Sequence, residues 1–113
     1  MQLITKPISK SKLKELSQRS FGTLVKAVVD IEKKIMVIDA AMHADEETHL
    51  LHHGSAQDNL WGINIYPDET EENMIEFDSM INVRPRLHNM TRGIENEAIR
   101  NKIASIVQSL ITV

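Results

Sequence analysis

The longest alternation of apolar and polar positions runs from Ile75 to Arg84, I-E-F-D-S-M-I-N-V-R. Ile75, Phe77, Ile81 and Val83 hold the odd places, with the small Ser79 among them, and Glu76, Asp78, Met80, Asn82 and Arg84 hold the even ones. A period of two in a stretch rich in β-branched and aromatic residues predicts a strand with one buried and one polar face. Pro85 should end it, because proline brings no N–H to a ladder. This strand is expected to be the centre of the fold, its apolar side packed on the last helix.

The rest of the chain falls into alternating elements. Residues 1–8 read as an extended lead-in. Ser9 is placed to cap a first helix, with Ile8 and Leu13 as its hydrophobic staple and Gly22 at its C-terminal end. Leu13, Leu16 and Phe21 mark the buried side of that helix. Leu24 to Ile31 and Ile35 to Ile38 are β-branched runs joined by Glu32-Lys33-Lys34, a hairpin whose turn has no glycine, so a left-handed lysine there would carry strain. From His43 a short helix runs to Gly54, with Asp45, Glu46 and Glu47 in the first turn, where the helix dipole favours negative charge. Leu60 to Tyr66 is a third strand: Trp61, Ile63 and Ile65 share one parity, and Gly62, Asn64 and Tyr66 the other. Asn96 caps a last helix whose Ile99, Ile103, Ile106, Val107 and Leu110 follow the 3.6-residue period. The order α-β-β-α-β-β-α predicts one α+β domain over residues 1–113, a four-stranded, mostly antiparallel sheet with helices packed on one face.

Composition narrows the functions. A net charge of −3 argues against general nucleic-acid binding, which needs a basic footprint. The absence of cysteine removes disulfides, thiol catalysis and cysteine zinc sites. No apolar run approaches the ~18 residues a membrane span needs, and the first residues lack a signal-peptide core, so a cytoplasmic protein without membrane contact is expected. There is no phosphate-cradling glycine loop and no nucleophile elbow, and no cofactor is expected.

Four stretches are similar to a known family: H-A-D-E-E from His43, G-S and W-G-I-N-I-Y-P between Gly54 and Pro67, F-D-S-M-I-N-V-R-P from Phe77, and N-M-T-R-G-I from Asn89. Through them the chain resembles a family of small prokaryotic single-domain proteins known only as a domain of unknown function. The resemblance implies a free-standing intracellular protein and brings no reaction, substrate or catalytic residue with it.

Candidate chemistry gathers on the polar side of the Ile75–Arg84 stretch. If that strand pairs with Leu60–Tyr66, then Asn64, Tyr66, Glu76, Asp78, Asn82 and Arg84 share a face, and the loop after Pro85 adds Asn89 and Arg92. Arginine forks, loop N–H groups and the start of the last helix beside Gly93 would together suit a phosphate or carboxylate. The competing reading is a solvated strand face held by an Asp78–Arg84 ion pair, since antiparallel sheets commonly leave one face polar. Were the protein an enzyme, a hydrolase or nuclease with or without a metal, Asp78 or His43 would be the base. His49 and His53 lie four apart with Glu46 one turn earlier, a spacing that can chelate a metal. Leu50 follows His49, however, so the glutamate of H-E-x-x-H is missing and a titrating surface is the simpler explanation. The expected function is a binding or interaction module, its partner a small anion or a protein, a second copy of this chain among them. The alternatives are the hydrolase or nuclease and a component of a toxin–antitoxin pair.

Overall fold

In the computed structural model, which describes residues 1–113, the Leu24–Ile38 hairpin is the middle of the sheet. The elements in chain order are β1 (Gln2–Ile4), β2 (Ile8–Ser9), α1 (Lys10–Arg19), β3 (Val25–Asp30), β4 (Ile35–Ile38), α2 (His43–His52), β5 (Leu60–Ile65), β6 (Ile75–Glu76), α3 (Glu97–Leu110) and β7 (Ile111–Thr112). Five strands form one antiparallel sheet in the order β1-β4-β3-β5-β6, and β2 pairs in parallel with β7. The expected α-β-β-α-β-β-α succession is present, with short strands added at both ends. The fifth strand comes from the lead-in, where Leu3 lies opposite Val37 on the free edge of β4.

Local signals act as elementary chemistry dictates. The Ser9 side chain accepts from Lys12 N–H and the Asn96 side chain from Ile99 N–H, each satisfying an amide that the first helical turn leaves without a partner. Lys34 sits at φ 58° in the hairpin turn. Asp30 makes that backbone tolerable, because its carboxylate accepts from the N–H groups of Glu32 and Lys33.

The helices are not all on one face, as the pattern predicted. Val25, Ala27 and Val29 of β3 and Trp61, Ile63 and Ile65 of β5 point to the side covered by α1 and α3, in a cluster of 17 buried residues. Val28, Val37 and Leu60 point to the other side, under Leu50 of α2. Strands buried on both faces read as near-continuous apolar runs, and both β3 and β5 do. Phe21, expected on the buried side of α1, is exposed.

The largest correction concerns the Ile75–Arg84 stretch. Only Ile75 and Glu76 form a strand, at the sheet's edge, opposite Ile65 and Asn64. Beyond them the chain crosses the α2 side through short 3-10 turns at Met80–Asn82 and Pro85–Leu87. Phe77 is half-buried against the larger cluster, Ile81 packs against the smaller one on the opposite face, and Val83 is exposed. The physical reason is competition for β5's free edge. The Asn82 side-chain amide accepts from Gly62 N–H at 2.8 Å and donates to Gly62 O at 2.9 Å, as a neighbouring strand residue would. Arg84 Nη1 donates to Leu60 O at 2.6 Å. Two side chains thus close the edge, and side-chain-to-backbone bonds of this kind displace a ladder. Gly62 permits the approach: a Cβ there would lie 2.5 Å from Ser79 Cβ.

Candidate functional site

The residues expected to bind an anion divide into two groups. Asn82, Arg84 and Asn89 belong to the frame. Asn82 is fully buried and also donates to Arg92 O at 3.0 Å. The Asn89 amide donates to the carbonyls of Asn82, Thr91 and Gly93 and accepts from Glu95 N–H, which folds the basic loop around a single side chain. Arg84 is 8% exposed, lies over the Trp61 ring and places Nη2 at 2.7 Å from Glu47 Oε2. Its guanidinium is occupied inside the protein. The expected Asp78–Arg84 pair does not form: Asp78 accepts from Arg92 Nε at 2.7 Å instead. At the start of α3 the Asn96 side chain accepts from Ile99 N–H.

Asn64, Tyr66, Asp78 and Arg92 come together elsewhere, at one end of the sheet on the α2 side. Strand parity sets the row. Lys26 is opposite Asn64 and Asn64 opposite Glu76, while Asp39 N–H donates to Lys26 O on the other flank. Lys26, Asn64 and Glu76 therefore project side by side from neighbouring strands. The Asn64 amide donates to Glu76 Oε1 at 2.8 Å, and the Tyr66 hydroxyl donates to the same oxygen at 3.2 Å. Burial and the Glu76 carboxylate both push the Tyr66 phenol up, so it remains a donor.

Helix α2 lies across this row. His43, Glu46 and Leu50 are one, two and so on down the same helical face, at spacings of three and four, and all three are buried. His43 Nε2 donates to Ile63 O at 2.7 Å, which fixes the neutral ring with a bare Nδ1. Burial holds His43 below the ordinary imidazole range; the Ile63 bond and Asp78 pull it up, and Lys26 and Arg92 press it down. Lys26, Asp78 and Arg92 thus all act on one ring. Glu46, with no exposed surface, accepts from Ala40 N–H at 3.0 Å and is pushed up to about 9 by burial, only partly offset by that bond and by Lys26. It is a neutral acid at ordinary pH.

Three buried side-chain atoms lack a partner: Glu46 Oε1, Asn64 Oδ1 and Trp61 Nε1. Two of the three adjoin Lys26. The histidines suggested as metal ligands do not join them. His49 and His53 stack on each other at 4.3 Å, while Glu46 faces the sheet, and no three His, Asp or Glu side chains converge in metal-holding geometry. Lys26 was absent from the face read from sequence, and Glu76, on that face, was not among the residues expected to hold the ligand. Lys26 and Asp30 hold alternate positions in an otherwise apolar run, but only strand order reveals that Lys26 neighbours Asn64.

Fold and site together define an α+β protein with a two-sided antiparallel sheet and a mixed-charge cluster at one end. The chain belongs to the DUF5674 family, proteins of unknown function, and matches it over residues 2–110. No curated protein and no solved structure matches it. No helix is long and apolar enough to cross a membrane.

Proposed function

We propose that this protein is a binding module for a small anionic ligand, and that the ligand sits against the N-terminal turn of α2. One observation carries the reading: α2 begins without any side-chain cap, and two cations from different elements, Lys26 and Arg92, act on its first residue, His43. An uncapped helix start offers free N–H groups and a positive dipole end. Arg92 uses only Nε for Asp78, which leaves its terminal nitrogens for a carboxylate or phosphate. Lys26 has no ion-pair partner; its ammonium lies 5.0 Å from the Phe21 ring centroid.

A binding role is preferred to the hydrolase reading because of where the acid lies. Glu46 and His43 have their proton affinities pushed in opposite directions, which is how acid and base are separated in enzymes. Yet Glu46 is wholly enclosed, and a proton donor must reach its substrate. The test is titration of inorganic phosphate and of short carboxylates into the wild type and into Arg92→Ala and Lys26→Met variants, by calorimetry. Each charge-assisted bond should be worth about 1.5–3 kcal/mol, so each variant should lose about tenfold or more in affinity. Equal binding by all three proteins, or none by the wild type, would sink the proposal.

A further inference from the structure

We infer that the ligand is a zwitterion, carrying an amine beside its anionic group as an α-amino acid does. This deepens the anion reading and rests on it. The cluster is not uniformly positive: beside Lys26 and Arg92 stand Glu76, bonded to Asn64, and Asp78, bonded to Arg92. A purely anionic ligand would gain from the first pair and be repelled by the second.

Asn64 decides between the two. Its residue is 7% exposed, and its Oδ1 meets no donor within the protein. Turning the amide over would not help, because Oδ1 would then face the Glu76 carboxylate, and two acceptors would meet. The oxygen is therefore fixed as an acceptor that awaits a donor, and a buried acceptor left unpaired costs about 1–3 kcal/mol. Glu76 Oε1 is already taken by Asn64 and Tyr66, and Asp78 Oδ1 by Arg92. The second oxygen of each carboxylate remains. A primary ammonium has three donors and no acceptor, which suits Asn64 Oδ1 and those two oxygens. Glu76, which holds the Asn64 amide, and Arg92, which holds Asp78, are both exposed side chains.

The experiment compares three series by calorimetry: the standard α-amino acids, the α-hydroxy acids with matching side chains, and the corresponding primary amines. At least one amino acid should bind about tenfold or more tightly than its hydroxy acid, the worth of one charge-assisted bond. Glu76→Gln should erase that advantage while tightening the hydroxy acid, which loses a repelling charge, and Arg92→Ala should weaken both. Circular dichroism of the two variants, each altered at an exposed position, confirms that they fold. Amino and hydroxy acids binding equally would overturn the zwitterion and leave the anion site standing. Binding of the amines alone would overturn both readings; binding of nothing in the three series would overturn the zwitterion, and the phosphate titration then decides the anion site.

Discussion

On the α1/α3 side the sheet buries a cluster of 17 residues, all apolar; on the α2 side the corresponding cluster has four. The smaller cluster is supplemented by hydrogen bonds from Asn82, Arg84, Asn89, Glu46 and His43 to backbone groups. One face is held by area removed from water, which is indifferent to direction. The other is held by bonds that demand particular atoms at particular places. A face built the second way can tolerate polar side chains in its interior, and that is where the candidate site lies.

The contrast can be broken most severely at Arg84. Removing one partner of a buried ion pair strands the other, so Arg84→Ala should cost about 3–5 kcal/mol in urea unfolding. Ile103→Ala, the deletion of a fully buried side chain on the apolar face, should cost about 2–5 kcal/mol. The two losses should differ in kind. Arg84→Met with Glu47→Leu should recover most of the first, because apolar residues of similar volume can replace a buried pair. A cost below about 1 kcal/mol for Arg84→Ala would show that apolar contact holds the α2 side as well.

The same contrast explains what could be read from the sequence. The apolar face was legible: periodicity placed Leu13 and Leu16 on α1, and Ile103, Ile106 and Leu110 on α3, because burial follows helical and strand periods. The α2 face was not. The alternation from Ile75 to Arg84 is what an extended chain produces whether or not it pairs, and Asn82 and Arg84 reach β5 with side chains instead of backbone. One sign was available, since a glycine within a strand, here Gly62, marks a close approach by another part of the chain. The site was half legible. Parity grouped Asn64, Tyr66, Glu76 and Asp78, which lie together with Arg92 in the structure, and it grouped Arg84 with them too, although the chain leaves strand geometry after Glu76. Lys26 needed strand order, which no local pattern supplies.

Glu46 offers a finer test, because its contribution depends on pH. The folded state keeps the carboxyl proton up to about 9, and the unfolded chain releases it near 4.5. Between those values the folded state binds the extra proton, so stability falls as pH rises. Glutamine cannot ionise, so Glu46→Gln should match the wild type under acid conditions and exceed it by roughly 3 kcal/mol near neutrality, at about 1.4 kcal/mol per pH unit. His43 has the opposite sign. Burial keeps its ring neutral, the unfolded chain takes a proton in the ordinary imidazole range, and stability is lost as pH falls below it. The acid limb should therefore survive in Glu46→Gln. Urea midpoints across the pH range test both, and a constant offset between the proteins would exclude ionisation of Glu46 as its source.

The smallest effect on stability is expected at Arg92 and Asp78, and there the comparison turns towards function. Their side chains are 57% and 43% exposed, and exposed pairs contribute about 0.2–1 kcal/mol. Neither substitution to alanine should move the unfolding midpoint much. Binding of a simple carboxylate separates two roles that Asp78 could play. If it serves only as a nearby negative charge, both Asp78→Asn and Asp78→Ala should tighten the carboxylate, because each removes repulsion. If it also holds Arg92 in place through the 2.7 Å bond to Nε, the two should diverge. Asparagine keeps an acceptor for that bond and removes the charge, so affinity should rise; alanine frees the arginine, which then loses side-chain entropy on binding, and affinity should fall. Divergence is the expected result, measured with an α-hydroxy acid so that no amine competes for the second carboxylate oxygen. Equal tightening in both variants would reduce Asp78 to a bystander and leave Arg92 oriented by the backbone alone.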